Sequence, residues 1–127
     1  MNFSTGFGFF DLAGRQITNN MKKYIELKRR AFAVLKSELP EDLFYHDLQH
    51  TLDVISVCNQ YIERENIDFH QAELLRIAAL LHDIGFTVTY TNHEEKGAEI
   101  AEEMMLELGF SKQDVEVVKG LIMAKKI

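Results

Sequence analysis

The sequence predicts an all-α domain, a bundle of about five to six helices. Three observations lead there. Apolar residues recur at helical spacing in separate stretches between Tyr24 and Met123. Residues that start or stop helices (Asn20, Pro40, Asn92, Gly109 and Ser111) fall between those stretches. The connections they leave are short, and neither an internal repeat nor a low-complexity segment interrupts the series.

Residues 1–20 stand apart. Phe3, Phe7, Phe9 and Phe10 alternate with Gly6, Gly8 and Gly14 in a pattern that supports neither helix nor strand. This stretch reads as an irregular leader, with the domain proper at 21–127 and Met21 a natural start. Asn19 or Asn20 caps a first helix running from about Met21 to Glu38. Tyr24, Leu27, Phe32, Val34 and Leu35 form its apolar stripe, and its lysines and arginines form a solvated face. After Pro40, Glu41 and Asp42 open a short helical turn, as suits acidic residues at a positive helix end.

A second helix is expected from about Asp47 to Glu65, with Leu48, Leu52, Ile55, Val57, Cys58, Tyr61 and Ile62 inward. The third, Phe69 to Ile84, is apolar almost all round and should be buried. A polar loop from Thr87 to Asn92 leads to a fourth helix ending at Leu108, with Ile100, Met104, Met105 and Leu108 inward and Gly109 as its stop. Ser111 caps a fifth, in which Val115, Val118, Ile122 and Met123 are apolar.

Composition narrows the function. The 127 residues suffice for one domain with a real core. A net charge of −6 argues against general nucleic-acid affinity, which needs basic patches. It leaves room for a small phosphorylated substrate, because a metal ion can supply local positive charge. Cys58 is the only cysteine, so no disulfide framework points to secretion. With no membrane span and no signal peptide in view, the expected location is the cytoplasm.

The chemistry concentrates in the histidines. His82-Asp83 ends the apolar run Leu74–Leu81, and a buried helix should not end in two ionisable groups unless something satisfies them. Gly85 follows as a C′ candidate, which places the pair in the last turn. That helix end favours a cation, so an imidazole and a carboxylate there look like half of a metal site. His46 and His50 are four apart and share one helix face. His93 follows in Asn92-His93-Glu94-Glu95-Lys96-Gly97. Imidazole and carboxylate groups brought together by helices suit borderline divalent metals. On the residues alone, each histidine could equally be structural: His46 as a helix-end hydrogen-bonding group, His93 as an ordinary first-turn residue. Glu94 reads as a neighbour of the site or a solvated glutamate, and Lys96 and His70 as surface. Arg76, inside the apolar helix, needs a partner or must reach the surface.

Three stretches together, His50-Thr51-Leu52-Asp53-Val54, Leu80-Leu81-His82-Asp83-Ile84-Gly85 and Asn92–Ala98, resemble the HD superfamily of metal-dependent phosphohydrolases. Tyr45-His46 also resembles its cyclic-nucleotide phosphodiesterase branch. The resemblance implies a helical HD-type bundle. It implies a divalent metal ion (Mn, Fe, Mg, Zn, Co or Ni) held by His50, His82, Asp83 and His93. Asp83 and His46 would be catalytic, His46 as proton donor to the leaving oxygen. The implied substrate is a small phosphate ester, such as a nucleotide or cyclic nucleotide.

The superfamily signature ends in an aspartate on a helix beyond the fifth, and this sequence stops at Ile127. The expectation is therefore a C-terminally incomplete bundle. Its apolar face around Leu121, Ile122 and Met123 would invite homo-oligomers. The alternative reading is a weak or inactive HD domain used for nucleotide sensing or protein interaction.

Overall fold

The computed structural model describes residues 19–89 and 91–124, so the first 18 residues of the Phe/Gly-rich stretch 1–20 lie outside them. The chain folds as α1 (Asn19–Glu38), α2 (Glu41–Arg64), α3 (Phe69–Leu81), a 3₁₀ turn (Ile84–Thr87), α4 (His93–Glu107) and α5 (Lys112–Ala124). Among the described residues there is no strand, so the all-α class holds.

The centre of the bundle is α3. Asp68 caps it, its side chain accepting from the Gln71 N–H at 2.9 Å. Leu74, Ile77, Leu80 and Leu81 are buried, and burial of one such side chain contributes about 1.5–3 kcal/mol. Around this helix stand Leu27 and Ala31 of α1, Ile55 of α2, and Val115, Val118 and Ile122 of α5. The α4–α5 pair closes the other side through Ala101, Met104 and Met105, and α4 also covers the 3₁₀ turn. Between α4 and α5 the chain reverses at Gly109, whose φ of +86° suits glycine. Ser111 then caps α5, its hydroxyl accepting from the Asp114 N–H at 3.1 Å.

Several expected boundaries need correction. The turn after Pro40 and the second helix are one continuous element. Nothing between Leu43 and His46 breaks a helix, and Phe44, 9% exposed, anchors the first turns. α1 starts at Asn19, so both asparagines lie within the helix. α3 stops at Leu81, and His82 and Asp83 lie just past it, with His82 as the C-cap residue. Gly85 has no positive φ and is not a C′ residue. It is small for another reason: a Cβ there would lie 1.8 Å from the His93 carbonyl oxygen. The backbone of α4 occupies the space a side chain would need.

The inward face of α2 also differs from the expected one. Phe44, Thr51, Ile55 and Ile62 are buried, whereas Leu52, Val57 and Tyr61 are exposed. α2 packs mainly on α3, so a single narrow stripe is covered. On α5, Ile122 is buried and Leu121 is 37% exposed, so the apolar surface expected there is smaller than a whole face. Residues 125–127 lie outside the description. No helix among the described residues is long and apolar enough to cross a membrane.

Candidate metal centre

Two elements build the site. The run-out of α3 presents His82 and Asp83, and α2, packed against α3, presents His50. His82 Nε2 lies 2.9 Å from Asp83 Oδ2 and 3.3 Å from His50 Nε2. His50 Nε2 lies 3.4 Å from Asp83 Oδ2, which closes the triangle.

The tautomer of His82 follows from its other nitrogen. Nδ1 is 2.7 Å from the Ala79 carbonyl oxygen, which can only accept, so Nδ1 carries a hydrogen and donates it. In the neutral ring Nε2 then has a lone pair directed at Asp83 and His50. A backbone carbonyl behind the ring is the usual support of a metal-binding histidine.

Donor-set chemistry fits a divalent ion. Ligands at about 2.1 Å from a tetrahedral or octahedral ion lie roughly 3.0–3.4 Å from one another, the spacing the three atoms already have. Two imidazole nitrogens and one carboxylate oxygen suit Mn, Fe, Co, Ni or Zn better than Mg. The Asp83 and His82 side chains are 11% and 12% exposed, and His50 is 53% exposed. The centre is therefore walled on the α3 side and open to solvent beside α2.

Asp47 was absent from the sequence-based set. It lies one turn before His50 and four residues before the buried Thr51, on the inward stripe of α2. Its Oδ2 is buried without a hydrogen-bond partner. Burial pushes its carboxyl pKa up, the Asp83 charge pushes it further, and His82, His50 and His46 oppose the rise. Placing the helix start near Asp47 hid this residue, because an acid in a first turn needs no explanation. With the helix starting at Glu41, Asp47 is an acid in the interior of a helix, facing in.

The remaining candidates lie around this centre. His46 is on α2 one turn before His50 and is exposed. His93 opens α4; it is stacked on Phe86 at 3.9 Å between ring centroids and paired with Glu94 at 2.9 Å. His50, His82 and Asp83 form the cluster of mutually close donor atoms, and His93 is not in it. Glu94 is 13% exposed and held against His93, so it is not a solvated glutamate. Lys96 is exposed and pairs with Glu99. His70 is on the surface against Asp114. Arg76 resolves its placement by donating from Nε to Asn59 Oδ1 at 2.7 Å.

Comparison with known proteins agrees with this architecture. Residues 47–125 match the HD domain family, which takes in the α2 and α3 groups together. That is more than half of the chain, and the protein belongs to the HD domain family. Proteins of this family are generally hydrolases and typically bind divalent metals. The chain is also 28% identical over 113 residues to an uncharacterized protein of Clostridium beijerinckii, an alignment covering 87% of this chain and 69% of that relative. No solved structure matches.

Proposed function

We propose that this chain is a metal-dependent phosphohydrolase acting on a small phosphate ester, with nucleotides and cyclic nucleotides as the first substrates to test. The observation that carries this reading is the convergence of His50 Nε2, His82 Nε2 and Asp83 Oδ2 at a solvent-open edge.

His50, His82 and Asp83 would hold the ion. When bound, a divalent ion there supplies a lowered pKa for water and positive charge for phosphoryl oxygens. Asp83 would serve both to hold the ion and to orient the attacking water. His46, exposed one turn from His50, is assigned as proton donor to the leaving oxygen. His93 is assigned to a phosphate oxygen or a second ion, from its place at the start of the helix that covers the turn after Asp83. A cytoplasmic setting and an absence of nucleic-acid binding complete this reading.

The test is elemental analysis of the purified protein together with phosphate release from phosphomonoesters and cyclic nucleotides. Near-stoichiometric metal with turnover that vanishes in His82→Ala supports the reading. Bound metal without turnover on any phosphate ester refutes it.

One observation favours a second role. Tyr61, Val117 and Leu121 are exposed beside Leu75 and Ile67 in a groove between α2, α3 and α5. Such a surface fits a homo-oligomer or a regulatory partner, the expectation for an HD domain that binds without turnover.

A further inference from the structure

Asp47 is a buried acid beside the candidate centre for which the hydrolase reading has no use. Its Oδ2 is buried, lacks a hydrogen-bond partner, and belongs to a side chain on the stripe of α2 that faces α3. An acceptor in that position is costly, because a buried polar group without a partner has given up its hydrogen bonds to water, and the cost rises when it is charged. The neighbours that act on it electrostatically are Asp83, His82, His50 and His46, which surround the candidate centre. A second carboxylate close enough to Asp83 to feel its charge adds to the negative charge at the centre, which an ion would neutralise.

Asp47 is nonetheless outside the set of donor atoms that lie within 4.8 Å of one another. That placement suits a group that reaches the ion indirectly. We infer that Asp47 belongs to the outer sphere of the metal centre: its buried oxygen accepts a hydrogen from a water that lies between it and the ion held by His50, His82 and Asp83. The assignment builds on the metal-centre part of the proposed function and adds a fourth group, contributed by α2. It explains why an acid is kept in the interior of that helix, where it has neither a capping role nor a protein hydrogen-bond donor for that oxygen.

Mn²⁺ titration of the metal-free 127-residue protein tests this, with thermal melting of the same metal-free samples as a second readout. Asp47→Asn should still bind one Mn²⁺ but about 10–100-fold more weakly, the usual effect of losing an outer-sphere partner. Its metal-free melting temperature should equal or exceed the wild type, because a buried like charge beside Asp83 is gone. His82→Ala should bind no Mn²⁺. An Asp47→Asn affinity within twofold of wild type overturns the assignment, as does a loss as complete as that of His82→Ala, which would make Asp47 a direct ligand. A lowered metal-free melting temperature with unchanged affinity would mark Asp47 as structural and also overturn it. Mn²⁺ binding weakened by Asp47→Asn, in a protein that releases no phosphate, would refute the hydrolase reading and leave this assignment standing. A wild-type protein that binds no Mn²⁺ refutes both.

Discussion

The Cα of Gly85 sits directly beneath the carbonyl of His93: a Cβ at position 85 would fall 1.8 Å from that oxygen and 2.8 Å from the Gly97 nitrogen. Both atoms are backbone, so no side chain can turn aside. The contact fixes the turn that follows Asp83 against the first two turns of α4. Gly85→Ala must push α4 away or unwind the 3₁₀ turn. We expect a loss of at least about 1–3 kcal/mol, the range for overpacking a well-filled interior. Chemical denaturation checks this. Because the turn also holds Asp83, metal affinity should fall with stability.

Metal removal should be visible in stability as well as in chemistry. An ion that binds only the folded chain stabilises it by about 2.7 kcal/mol when free metal is a hundredfold above Kd. A chelator should therefore lower the melting temperature of the metal-loaded wild type. In Asp83→Ala the same chelator should have no effect. A chelator shift that persists in Asp83→Ala would place the stabilising metal elsewhere.

Glu73 gives a pH-dependent prediction away from the centre. It is 5% exposed on α3, and its Oε1 has no hydrogen-bond partner. Burial raises its pKa above the ordinary 4.5, against the opposing charges of Arg76 and His70. A raised pKa means that the folded state prefers the protonated carboxyl. The resulting stability is fully present below pH 4.5 and is lost as pH rises through the folded-state value. Glu73→Gln does not titrate, so it should match the wild type near pH 4 and exceed it by about 1–3 kcal/mol at pH 7. Urea unfolding at the two pH values is the measurement. An advantage at pH 4 as large as at pH 7 would contradict the charge argument.

Much of this was legible in the sequence because two signals reinforced each other. The apolar run Leu74–Leu81 marked the buried helix, and the polar pair after it marked the one place where that burial needed explanation. His50 was legible through its spacing from His46 and the residues after it. Other features depended on where helices begin and which side of them is covered. Pro40 suggested a break, whereas proline at a helix start is compatible with continuation, so α2 was longer than expected and Asp47 moved to its interior. Leu52, Val57 and Tyr61 satisfy a helical pattern on a wider stripe than α3 covers, so periodicity alone assigned them inward. Gly85 carries a generic helix-stop signal, and only the path of α4 reveals that it is a point of close approach.

The distance in sequence between His50 and His82 has a consequence for when an ion can bind. They are 32 positions apart and come from different helices. In the unfolded chain the two imidazoles are the ends of a long flexible loop whose closure is costly, so an ion would find them together only once α2 and α3 have packed. Release of the ion would thus report the parting of α2 from α3.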